Sequence, residues 1–107
     1  MKHLRLDDMV RGWFVGAFNP TALSTEACEV AVKNYKAGEH EDAHFHKIAT
    51  EITVILSGRV RMAGGEYGAN DIILLEPGEV TSFDALTDVT LVAVKVPGAK
   101  NDKYPAA

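Results

Sequence analysis

The strongest constraint on this chain is a period of two. From Glu29 onward, apolar residues recur at alternate positions in short runs, and a turn signal breaks each run before it grows long. Val30 and Val32 alternate with Ala31 and Lys33, and Tyr35 follows before the turn at Ala37-Gly38-Glu39. Ile52, Val54 and Leu56 alternate with Thr53 and Ile55 and stop at Ser57-Gly58. Val60 and Met62 alternate with Arg59 and Arg61, and Ala63-Gly64-Gly65-Glu66 reads as a hairpin turn. Ile72 to Leu75 is wholly apolar, which predicts a strand covered on both faces. Val80 to Phe83 and the β-branched run Val89 to Val96 complete the series, and Pro97-Gly98 ends it. No long amphipathic helix interrupts the pattern. An all-β sandwich or barrel of about eight short strands is predicted.

The 107 residues allow one domain. We divide it into an N-terminal arm (1–25), a barrel (28–97) and a tail (98–107). With 15 acidic against 11 basic side chains and a net charge of −4, the chain carries no electrostatic footprint for nucleic acid or an anionic membrane. Met1 to Val10 lacks the apolar stretch of a signal peptide, and Cys28 is the single cysteine, so a reduced, cytoplasmic protein is expected. Trp13, Phe14 and Phe18 form an aromatic group in the arm, where they cover an end of the core or supply the interface of a homodimer.

Chemistry concentrates between Gly38 and Gly58. His44 and His46 lie two apart in an extended segment, so both imidazoles point to one face. Glu51 follows across a tight connection. Two imidazoles and a carboxylate on one face suit a divalent transition metal, and the set resembles the facial triad of non-haem iron with open coordination positions. Thr53 shares the strand parity of Glu51, and Tyr35 lies on the strand leading into the segment, which makes both candidates to line a pocket. His40 reads as an exposed loop histidine, and Arg59 and Arg61 as a solvated outer face. The acidic residues Glu76, Glu79, Asp84 and Asp88 read as a solvated loop and strand edge.

These residues resemble the first motif of the cupins: Gly38, five residues, His44-Phe45-His46, four residues, Glu51, six residues, Gly58. A second motif is matched in part. Asn70-Asp71 stands for its Gly-Asp pair, Ile72 to Leu75 for its apolar run, Pro77-Gly78 for its turn, and Thr81 for its terminal histidine. Asn70 is a tolerable replacement because asparagine accepts positive φ. The resemblance implies a small single-domain jelly-roll barrel, a double-stranded β-helix, with its pocket inside. It also implies His44, His46 and Glu51 as ligands of iron, zinc, manganese or nickel, with Thr81 where metal-bearing cupins place a further histidine. The functions it suggests are isomerisation, epimerisation or dioxygenation of a small polar, carbohydrate-like or carboxylated metabolite, with Glu51 and His46 in catalysis. The alternative is a non-catalytic small-molecule-binding cupin, with or without a metal, working with a partner enzyme. Fold alone does not choose between them.

Overall fold

The computed structural model describes residues 1–106. Two single 3-10 turns, Leu6–Asp8 and Val10–Gly12, precede ten strands. These are β1 (Trp13–Val15), β2 (Glu29–Tyr35), β3 (His40–Phe45), β4 (Thr50–Ser57), β5 (Arg59–Met62), β6 (Gly65–Gly68), β7 (Ile72–Leu75), β8 (Thr81–Ala85), β9 (Val89–Val96) and β10 (Tyr104–Pro105). They form two five-stranded antiparallel sheets, ordered β1-β2-β9-β4-β7 and β10-β3-β8-β5-β6. This is the jelly-roll arrangement of a double-stranded β-helix, all-β as the alternation predicts. No helix among the described residues is long and apolar enough to cross a membrane.

The core lies between the sheets. Ile55 and Val60 are fully buried at its centre, with Met62, Ile73, Leu75, Phe83, Val89 and Leu91 around them. Burying a side chain such as Ile55 contributes about 2 kcal/mol. Two glycines make the turns possible. Gly58, between β4 and β5, has φ +89°, and a Cβ there would lie 2.1 Å from the Asp88 carbonyl oxygen. Gly12 has φ +81°, and its Cβ would lie 1.8 Å from the Val32 carbonyl oxygen. Only glycine lets the arm pass this close to β2 and deliver Trp13 to the sheet. Asn70 takes φ +73° where the resemblance has glycine.

Strand orientation departs from the simplest reading of the alternation. On β2 the residues facing the core are Ala31, Lys33 and Tyr35, and on β4 they are Glu51, Thr53 and Ile55. The larger aliphatics Val30, Val32, Ile52, Val54 and Leu56 face outward. On β7 only Ile73 and Leu75 are buried; Ile72 is 67% and Leu74 52% exposed, so the expectation of a strand covered on both faces fails in this chain. The reason is position. β7 is an edge strand, hydrogen-bonded to β4 alone among the described residues, and its outer face carries Ile72 and Leu74 to the surface.

Candidate metal centre

The inner face of the first sheet carries a rung of small side chains. Trp13 on β1 pairs with Ala31 on β2, which pairs with Ala93 on β9, then Thr53 on β4 and Ile73 on β7. Ala93 and Thr53 leave space that larger residues would fill. The result is a cavity of about 230 Å³. Tyr35, Thr53 and Thr81 line it, together with His44, His46 and Glu51.

The three proposed ligands reach it from both sheets. His44 is the penultimate residue of β3 in one sheet, His46 lies just beyond that strand, and Glu51 stands on β4 in the other. One ligand atom from each can be chosen so that all lie within 4.8 Å of one another. The hydrogen bonds orient the rings for this. His44 Nδ1 donates to the Asp42 carbonyl at 2.9 Å, and His46 Nδ1 donates to the Asp102 carbonyl at 2.6 Å. Each ring therefore offers Nε2 inward, the arrangement that prepares an imidazole for a metal. His46 Nε2 lies 3.0 Å from Glu51 Oε2. That hydrogen bond raises the His46 pKa above its ordinary value, against the opposing effect of burial. Burial by itself would push Glu51 up, but the His46 bond and the Lys95 ammonium hold it below the ordinary glutamate range. Glu51 is therefore ionised at neutral pH. With the His46 Nε2 proton displaced, two imidazole nitrogens and one carboxylate fit a borderline divalent cation.

Two features of the support are missing from the sequence reading. The first is Asp102, within the segment assigned as tail. Its carboxylate accepts N–H bonds from Lys47, Ile48 and Ala49 at 2.9–3.2 Å, which fastens the whole connection between His46 and β4. Burial works against the Asp102 charge, but the donors of Ala49, Lys47 and Ile48 outweigh it and hold the carboxyl below the ordinary aspartate range. Nearby, Tyr104 on β10 stacks on Phe45 and lies under the Lys47 ammonium. The second is the Pro77-Gly78 turn, where Gly78 N–H donates to the His46 carbonyl at 2.7 Å. The apolar-run motif is thereby tied to the histidine motif.

Thr81 sits at the position opposite His44 in the β3–β8 pairing and is buried. Its hydroxyl is engaged: it accepts from Ala63 N–H at 2.8 Å and donates to the Ser82 carbonyl at 2.6 Å. His40 is exposed as expected, but on a strand rather than a loop, held between Asp84 at 2.6 Å and Asp42 at 2.9 Å. Arg59 and Arg61 face solvent. Four cationic side chains line the cavity that the sequence reading did not single out: Arg11, Lys33, Lys95 and Lys103. The available signal was a lysine at an inward-facing position of an otherwise apolar strand, at Lys33 on β2 and Lys95 on β9.

No protein-family model matches the chain, and no curated protein matches it by sequence. Solved structures match it in shape. An uncharacterised conserved protein with a double-stranded β-helix domain from Klebsiella pneumoniae subsp. pneumoniae superposes with a TM-score of 0.68 at 22% identity, over 91% of this chain and 85% of its own. KdgF from Halomonas sp. superposes at 0.64 with 16% identity, over 72% of this chain and 76% of its own. Oxalate decarboxylase from Bacillus subtilis, a protein with Mn(II) centres, superposes at 0.66 with 21% identity, over 75% of this chain and 24% of its own length. At these identities the shared property is the fold, a double-stranded β-helix.

Proposed function

We propose that this chain, which has the cupin fold, is a metal-dependent enzyme that acts on a small polar metabolite, carbohydrate-like or carboxylated, inside its barrel. The observation that carries the reading is the convergence of His44, His46 and Glu51, from two different sheets, on one end of an internal cavity. These three residues would hold one divalent ion, and that ion would polarise a carbonyl or hydroxyl oxygen of the substrate. Glu51 and His46 share a proton between Oε2 and Nε2 and are placed to exchange it with a bound molecule. Burial, with Glu41, Glu51 and Glu39 nearby, raises the Tyr35 phenol, so this hydroxyl stays protonated and serves the cavity as a hydrogen-bond donor. The class of reaction we favour is isomerisation or epimerisation, with dioxygenation if the ion is iron.

Elemental analysis of protein purified without a histidine tag tests the ligand set. About one equivalent of a transition metal is expected in the wild type and a loss of at least tenfold in occupancy in His44→Ala. Equal, substoichiometric metal in both would refute the assignment. Thr81 supports a second reading: its hydroxyl is engaged with the backbone, leaving three protein ligands and favouring a non-catalytic binding module. Turnover that collapses in Glu51→Gln separates the enzyme from the module, which would bind without forming product.

The same reading includes a homodimer. Trp13 packs against the core cluster and Phe14 and Phe18 are partly buried, so these aromatics cover an end of the core, while Leu4, Leu6, Val10 and Leu23 of the arm stay exposed. The interface we propose is the outer face of β4, β7 and β9, which carries Ile52, Val54, Leu56, Ile72, Leu74, Val92, Val94 and Val96 and no charged side chain. A face without charges suits a second copy, because a two-fold axis would set any charge near its own image.

A further inference from the structure

The cavity wall beside the metal ligands is cationic, in a protein whose net charge is −4. Four of its 11 basic side chains line this one cavity, against two carboxylates, Glu41 and Glu51. Glu51 is already engaged with His46. Among the described residues, none of Arg11, Lys33, Lys95 and Lys103 has an ion-pair partner within 4.0 Å. Elsewhere on the surface Arg5 and Arg61 do find carboxylates, so the cavity cations are unpaired in a chain with carboxylates to spare.

Two of the four are placed with care. Lys33 and Lys95 lie on β2 and β9, on either side of the Trp13-Ala31-Ala93 rung. Their ammonium groups stand 5.5 and 5.0 Å from the centre of the Trp13 indole, so one aromatic ring positions both by cation–π attraction. Lys95 also stands opposite Glu51 in the β4–β9 pairing, which sets the cationic wall beside the metal ligands. Arg11 and Lys103 are exposed, while Lys33 and Lys95 are partly buried, so positive charge runs from the surface inward. Such an arrangement raises the local concentration of anions. Burial lowers the Lys33 ammonium from its ordinary value; Glu41 opposes this, and repulsion from Arg11, Lys95 and Lys103 adds to it. An entering anion would relieve that repulsion.

We propose that Lys33 and Lys95, braced on Trp13, form an anion-accepting subsite for the carboxylate of a small metabolite, with Arg11 and Lys103 steering it in. This rests on the proposed function and narrows it. The substrate is a carboxylic acid that also bears a hydroxyl or carbonyl oxygen for the metal, a uronate-like or hydroxy-acid-like molecule, and a neutral sugar is excluded.

Trp13 is the only tryptophan, so intrinsic fluorescence reports on this subsite directly. Purified protein is titrated with D-glucuronate and with malonate, and in parallel with D-glucose, while metal content is measured on the same samples. Saturable emission changes are expected with the two carboxylates and none with glucose up to the same concentration. Lys33→Met and Lys95→Met should each weaken carboxylate binding at least tenfold, and Lys33→Met should leave metal content at the wild-type level. Lys33→Gln gives a second route if Lys95→Met fails to fold. Equal responses to glucose and glucuronate, no response to either carboxylate at millimolar concentration, or lysine variants with wild-type affinity would each overturn the subsite. A carboxylate response in wild-type protein that takes up no metal, even when metal ions are added, would keep the subsite and remove the metal-dependent reading instead.

Discussion

Asp102 is a single side chain that holds the geometry of another. Its carboxylate gathers three backbone N–H groups of the loop between His46 and β4, and its own carbonyl fixes the His46 ring. Asp102→Ala strands the buried Ala49 N–H and should cost about 1–3 kcal/mol, read as a lower melting temperature. The pH dependence has a defined sign. A carboxyl held below its unfolded value of about 3.9 adds stability above that value and loses it as pH falls through the lower folded value. The melting-temperature gap between wild type and Asp102→Ala should therefore be full at pH 7 and shrink in acid; a gap that widens in acid would contradict the assignment. His44, His46 and Glu51 were legible because their spacing within 44–51 is local and strand parity converts spacing into direction. Asp102 was not, because its partners lie 53 to 56 residues away and no period links them.

Strands β2, β4 and β9 show why orientation is harder to read than strand identity. Both faces of these strands are largely apolar, so alternation locates the strands without choosing the inner face. The choice is visible only in the exceptions, Lys33, Glu51, Thr53 and Lys95, which share the cavity. Side-chain size then decides volume. Ala93 lies mid-rung between Ala31 and Thr53, and Ala93→Leu would place three extra carbons in the cavity. The variant should stay folded at a cost of about 1–3 kcal/mol, keep its metal, and lose the Trp13 response to glucuronate. Unchanged glucuronate affinity would show that the ligand sits elsewhere.

At the scale of the molecule, the inward polar side chains and the outward aliphatic ones are two results of the same arrangement. A sheet that turns Thr53 and Ala93 inward to line a cavity presents its Val, Ile and Leu residues to the outside. Leu56, Ile72, Leu74 and Val96 are each close to half exposed or more, a patch that a monomer rarely leaves uncovered. Light scattering should give twice the chain mass for the wild type and the monomer mass for Leu74→Lys. A monomeric wild type would rule the face out as an interface. The barrel itself was legible from turn spacing and apolar runs, since closure into two sheets follows from many short strands with few other ways to bury them.

The fastening of the metal loop by Asp102 also gives the molecule a specific vulnerability. Lys100 is exposed, just ahead of Asp102 in the chain, while strands β2 to β9 all lie before it. A trypsin nick there would leave the barrel closed and its core dry. It would nonetheless unlatch the two-histidine arm, turning off cation capture by a cut that removes none of the three capturing groups.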